Sequence, residues 1–474
     1  MDLDVVMLSR IQFAFTISFH IIFPSFTIGL AAWLALLEGR WLLTGNPYYR
    51  QLFDFWLKVF GVSFGMGVVS GIVMAFQFGT NWAVLSELAG PIQGPLLGYE
   101  TFTAFLLEAT FFGVMLFGRN RVAPWFYCFS CAMVALGTTF SAYWIMMNNS
   151  WMQVPLGYQE IDGRFVPTDW AAIAFSEVAW IRFLHMLIGA YLTSAMCIAA
   201  AGAWLLLRGK AVEQARIMMR SGLGLVAVLI WPQMILGHFN GDYVHEHQPA
   251  KFAAIEARWE TEQPASEVLI GIPDPDRERN LYAIEIPRLG SFIGSGTWDS
   301  REVGLKEFAP EDRPPVLIPF FGFRIMVGMA LLMLGLSWFG VWLWLRKRPF
   351  EDSRWFLWLV FLSYPSGFIA VLTGWYVAEV GRQPWVVYGL LRTSDAHSPN
   401  LVVSDVLISL TLFVVVYGLI FVSGAWYIYR ILRAGPEEDI APPPPHDLTG
   451  SRPLAIPGGS PGAIARPAEA GERP

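Results

Sequence analysis

His20, Glu100, Glu108, His185, Arg324, Met326 and Glu379 all fall within or at the rim of long apolar runs. There an ionisable group is costly unless it is paired, hydrated or bound to a metal. Glu379 sits in the stretch GWYVAEVGRQPW, from Gly374 to Trp385, where an apolar segment ends and Arg382, Gln383 and Pro384 follow. His185, with Arg182 one turn before it, and Met326 each lie about eight residues, or ~12 Å, in from the same end of their segments. They could therefore face each other. A histidine nitrogen and a methionine thioether on opposite sides of one iron make a low-spin, electron-transferring haem, whose potential the thioether raises. His20, Glu100 and Glu379 add further candidate iron ligands toward that same end. Glu108 lies deeper and, eight residues on from Glu100, falls about 80° from it around a helix. The two could pass protons along their segment, helped by the hydroxyl of Ser141. Each of these residues also has an ordinary reading: a hydrogen-bonded packing histidine, an apolar filler methionine, a protonated structural carboxyl.

The elements that must position them are membrane spans. The chain has 474 residues, of which 55% are hydrophobic and 15% charged, and a mean hydropathy of +0.46, which excludes a soluble domain. Apolar runs at roughly 12–38, 54–78, 98–117, 122–147, 177–207, 217–238, 318–345, 355–378 and 404–429 are each near or above the ~20 residues a helix needs to cross. The expected fold is all-α, with nine transmembrane helices. Arg40, Arg50, Lys58, Arg119, Arg121, Arg208, Lys210, Arg346, Lys347, Arg348, Arg430 and Arg433 fall on alternate connections. The positive-inside bias then puts the amino terminus outside and the carboxyl terminus in the cytoplasm. The expected organisation is spans one to six over 1–238, an external loop over 239–317, spans seven to nine over 318–433, and a Pro- and Gly-rich disordered tail over 434–474. Met1 to Val6 is acidic, so no cleavable signal is expected, and no repeat suggests a two-halved transporter. Cys128, Cys131 and Cys197 lie inside apolar runs and read as packing residues. A net charge of −6 gives no hint of nucleic acid.

The external loop carries GDYVHEHQPAKFAAIEARWET, from Gly241 to Thr261. Lys251 and Glu256, in an Ala-rich helical stretch beside Phe252 and Ile255, could hydrogen-bond the head of an amphipathic substrate. The plainer reading is an exposed helix with solvated charges. His245 and His247 read as surface histidines.

Together these stretches resemble subunit I of the cytochrome bd quinol oxidases, from Ser9 to the end of the ninth span. The resemblance rests on SRIQFAF before His20, FQFGTNW from Phe76, YETFTAFLLEATF from Tyr99, SAYWIMMNNSWMQ from Ser141, IRFLH ending at His185, QPAKFAAIE from Gln248, FRIM ending at Met326, and GWYVAEVGRQPW. It implies a terminal oxidase of the bacterial cytoplasmic membrane that oxidises quinol at the external loop and reduces O2 to water. His185 and Met326 would ligate a low-spin haem b, and His20 and Glu379 two high-spin haems, one haem b and the other haem d or a third haem b. Glu100 would lie close to the oxygen-reducing iron, Arg324 near a haem and Trp375 between haems. Lys251 and Glu256 would bind quinol, and Glu108 and Ser141 would bring protons from the cytoplasm, so that turnover charges the membrane without a pump. A second membrane subunit, and a short single-span peptide, would be partners.

The external loop is short, and GDYVHEHQPAK resembles the cyanide-insensitive branch. Two other classes fit part of the pattern. A dihaem quinone oxidoreductase needs His185 and Met326 but leaves His20, Glu100 and Glu379 without a purpose, and a proton-coupled transporter explains the carboxylates but not a His and a Met at matched depth.

Overall fold

The computed structural model describes residues 4–350 and 353–437. Among them are nine helical segments long and apolar enough to cross a membrane. In order they are Val5–Thr44, Pro47–Thr80, Ala83–Phe117, Pro124–Gln153, Trp170–Leu207, Val212–His247, Pro310–Leu345, Arg354–Val380 and Val403–Ala434. Several start at side-chain caps that satisfy the first free backbone N–H groups. Asp4 accepts from Met7 N at 2.6 Å and Asn46 from Tyr48 N at 3.0 Å, with Pro47 preset for the first turn.

Lipid tails are as apolar as leucine, so the spans associate by close backbone approach rather than by hydrophobic burial. A Cβ on Gly29 of the first span would stand 2.5 Å from Ser194 Oγ of the fifth, and that hydroxyl donates to Phe26 O at 2.6 Å. At one end of the bundle Arg119 lies between the rings of Phe53 and Tyr127, 4.5 Å from each, and donates to buried Glu38 at 2.7 and 3.2 Å. It ties the first four spans together.

The opposite end carries the loop. The helix of the sixth span continues beyond residue 238 to His247, and stops at the residue before Pro249, where the helical conformation is disfavoured. A short helix, Pro249–Ile255, follows, then an antiparallel hairpin of Glu267–Asp274 with Arg279–Ile286, then the helix Leu289–Ser295. The third span starts at Ala83, earlier than the apolar run, and is interrupted by a π-helical segment, Glu100–Phe105. The eighth span breaks at Ser363–Pro365 into Arg354–Leu362 and Ser366–Val380, because Pro365 cannot continue a helix. A second small hairpin, Trp385–Val387 with Leu391–Arg392, packs back on the fourth span, where Tyr388 N donates to Met152 O at 3.0 Å. Of the expected tail, residues 438–474 lie outside the described residues.

Candidate redox site at the loop end of the bundle

His185 is carried on the fifth span and Met326 on the seventh, with the sixth and eighth packed beside them. A Cβ on Gly237 of the sixth span would come 3.3 Å from His185 Cε1, and one on Gly374 of the eighth 2.8 Å from Met326 Sδ. Gly189, one turn below His185, faces Gln233 of the sixth span and Val371 of the eighth. The two candidate ligands thus look onto backbone that has been cleared of side chains. His185 Nδ1 is buried without a hydrogen-bond partner, and Nε2 lies 3.4 Å from Gln233 Nε2. A buried ring nitrogen left unpaired fits a metal ligand better than a packing histidine.

His20 repeats this arrangement between the first and second spans. Its Nδ1 is 3.0 Å from Ser70 Oγ, and a Cβ on Gly71 would come 3.0 Å from its Cε1. Fixing one ring nitrogen leaves Nε2 as the one to offer a metal, as is usual for ligating histidines. Two residues before His20 on the first span, Ser18 shares a hydrogen bond with Tyr376 at 2.8 Å, which joins this span to the eighth, and Trp375 packs edge-on against Tyr376.

Glu379 lies in a polar nest. Asn149 Nδ2 donates to it at 2.9 Å and Gln153 Nε2 at 3.2 Å, and Arg382 Nη2 stands at 2.5 Å. Arg182 Nη2 donates to Asn149 Oδ1 at 2.5 Å. Among the described residues, no group of three or more His, Cys, Asp and Glu side chains gathers as a bare metal site. His20, His185, Met326 and Glu379 stand apart as single candidate donors. Such a donor set fits haem iron, whose four equatorial ligands come from the macrocycle.

Glu100 and Ser141 are in direct contact, the hydroxyl donating at 2.9 Å. The π turn between Glu100 and Glu108 widens each turn, so the 80° separation expected for a regular helix does not hold. Glu108 is 6% exposed and is accommodated by Gly137 of the fourth span, where a Cβ would lie 2.6 Å from its Cγ.

The loop end departs most from expectation. Lys251 and Glu256 are 4% and 3% exposed, so the reading as an exposed helix with solvated charges is overturned. Lys251 Nζ reaches inward and donates to Ala378 O at 2.8 Å, next to Glu379, and to Gln153 Oε1 at 3.0 Å. Burial, reinforced by Arg182, pushes its amine well below the usual lysine range. Arg324 lies over the Phe320 ring at 3.6 Å and pairs with Glu256 at 3.5 Å and Glu267 at 3.1 Å. Its positive charge is therefore offset by two carboxyl groups, which its isolation in the sequence did not suggest. His245 is not a plain surface histidine, since its Nε2 lies 2.8 Å from the carboxylate of fully buried Glu302.

Sequence reasoning missed Asn149, Gln153 and Glu267 as members of the site. The first two are four residues apart in the polar run NNSWMQ, a helical spacing that puts them on one face. Glu267 carries no such signal.

The family model described as cytochrome bd terminal oxidase subunit I matches residues 8–436. Cytochrome bd ubiquinol oxidase subunit 1 of Bacillus subtilis (strain 168) is 34% identical over 446 residues, 92% of this chain and 95% of the relative. Cytochrome bd-II ubiquinol oxidase subunit 1 of Escherichia coli (strain K12) is 32% identical, over 91% of this chain and 97% of the relative. The solved bd oxidase from Geobacillus thermodenitrificans superposes with a TM-score of 0.84 at 29% identity, covering 91% of this chain and 99% of that one. Matched along almost its whole length, the chain belongs to the cytochrome bd terminal oxidase subunit I family.

Proposed function

We propose that this chain oxidises quinol at the loop end of the bundle, on the outer side of the membrane, and reduces O2 to water with protons drawn from the cytoplasm, without a pump. Family membership makes it a terminal quinol oxidase subunit, haem-bearing, multi-pass in the bacterial cytoplasmic membrane and joined to a subunit II. A short single-span peptide is a further expected partner. When bound, the haems supply one-electron transfer and the iron at which O2 is reduced.

His185 and Met326 would hold a low-spin haem b. His20 and Glu379 would hold the two high-spin haems, of which one is haem b and the other haem d or a third haem b. The short loop favours the cyanide-insensitive branch. Lys251 and Glu256 orient the quinol head at the loop, and Lys251 joins that site to Glu379 through Ala378 and Gln153. Arg324 and Trp375 stand one or two residues from Met326 and Gly374, where they position the neighbouring groups. Glu108, Ser141 and Glu100 hold and move protons on the third and fourth spans.

One observation carries the reading: His20, His185 and Met326 each abut a glycine of a neighbouring span. The test is a dithionite-reduced minus air-oxidised spectrum of the purified complex, with extracted haems identified by mass and oxygen uptake measured on added quinol. Three haems with quinol-driven uptake are expected. Three haems without uptake would point to a quinone oxidoreductase of another kind, and no haem at all would sink the oxidase.

A further inference from the structure

Arg324 Nη2 faces two carboxyl groups, Glu256 at 3.5 Å and Glu267 at 3.1 Å, so the two carboxyls stand side by side. Glu256 and Glu267 are 3% and 5% exposed. Two ionised carboxylates side by side repel, whereas a proton on one of them lets it donate to the other. Burial adds to that repulsion, and Arg324 with the buried Arg258 pulls against it. Glu267 is the carboxyl of the two that keeps its proton. The charged groups facing Glu267 are Arg324 from the seventh span and Glu256 and Arg258 from the stretch after the short helix. On the opposite strand of the hairpin its partner is Ile286, next to Glu285. Burial, then the neighbouring Glu256 carboxyl, raises the Glu267 carboxyl to about 9 against the pull of the two arginines.

Beside this pair lies a cavity of about 370 Å³, lined by Glu256, Arg258, Glu262, Ser266, Val268 and Asn280 among others. Ser266 and Val268 flank Glu267 on either side. Arg258 is 5% exposed, and its Nε, Nη1 and Nη2 have no hydrogen-bond partner; nor does Glu267 Oε2. A polar, roomy cavity with unpaired buried donors on its wall is one that holds water. Its rim carries Glu260, Arg277 and Glu285, all exposed, so it opens to the medium on the loop side.

We propose that Glu256 and Glu267 together accept the protons released by quinol and pass them through the water of this cavity to the outer face. The proposal rests on the quinol site described above. Quinol loses two O–H protons and two electrons to become quinone, and the electrons reach O2 in the oxidase reaction. Each proton is taken by the singly protonated pair, which becomes doubly protonated beside Arg324 and then returns one proton to the cavity water. Glu267 acts through Glu256, as a positioning residue that keeps one proton on the pair.

The experiment uses the whole oxidase complex in membranes, with Glu267→Gln and Glu267→Asp. Oxygen uptake is driven either by quinol or by an ascorbate-reduced phenylenediamine dye. In Glu267→Gln, quinol-driven kcat falls about tenfold relative to dye-driven uptake, quinol KM stays within about twofold of wild type, and the pH profile of kcat flattens. Glu267→Asp restores most of the rate. A wild-type kcat and pH profile in Glu267→Gln overturns the proposal, as does an equal fall with both donors, which marks a structural loss. Lys251→Met reports separately on the quinol site. If it leaves quinol KM unchanged, the site itself is misplaced; if it raises KM while Glu267→Gln changes nothing, only the proton relay fails.

Discussion

At Gly374 the site can be tested without touching a ligand. A Cβ there would stand 2.8 Å from Met326 Sδ, closer than side-chain carbons approach sulfur, so Gly374→Ala must displace the thioether. If Met326 is an iron ligand, the expected result is loss of most of the low-spin absorption in a reduced-minus-oxidised spectrum and a fall in oxygen uptake of about tenfold or more. An unchanged spectrum with Gly374→Ala would remove Met326 from the ligand set. Which residue types matter was legible in the sequence, because a His, a Glu or an Arg inside an apolar run has few inexpensive explanations. What surrounds them was not. The glycines opposite His20, His185 and Met326 come from other spans, and the nest of Asn149, Gln153 and Arg382 around Glu379 depends on packing between the fourth and eighth spans.

Among the elements, the spans were legible from length and composition, since the bilayer sets a threshold that a run of residues either meets or misses. The π turn at Glu100–Phe105 was not, because it leaves the apolar pattern unchanged while re-aiming Glu100 toward Ser141. The loop was least legible. Its hairpin buries Glu267 against the top of the seventh span by a register, Glu267 opposite Ile286, that no local pattern fixes. That burial gives the loop a pH dependence of its own. Burial, with Glu256, raises the Glu267 carboxyl from 4.5 to about 9 in the folded loop, so its contribution is fully present below the unfolded value. It declines as pH rises and is lost above about 9. Limited proteolysis of the loop in the intact complex should therefore run faster at alkaline than at mildly acidic pH. Glu267→Gln should flatten that dependence, and a wild-type loop cut equally fast across the range would contradict the placement of this carboxyl.

For the whole molecule, what matters is the end of the bundle at which each reaction takes place. Lys251, Glu256, Glu379, His185 and Met326 cluster toward one end, under the loop, while Arg119 with Glu38 and Asp54, and the basic connections, mark the other. In the orientation proposed from the positive-inside bias, that second end faces the cytoplasm. Each O2 takes four electrons and four protons, and two quinols release the same number of each. If quinol protons leave on the loop side while the protons for water enter from the cytoplasm, each electron transferred moves about one elementary charge across the membrane. Glu108 is a buried carboxyl eight residues on from Glu100 along the third span, and on the proposed proton route it lies between the two ends. In proteoliposomes with the loop facing inward, quinol-driven turnover should take up protons from the external medium and release them inside. Glu108→Gln should slow uptake and oxygen consumption together, by about tenfold or more, while leaving the haem spectrum intact. Proton uptake from the loop side, or an unaffected rate in Glu108→Gln, would mean that the protons reach the iron from above, and turnover would then build no potential across the membrane.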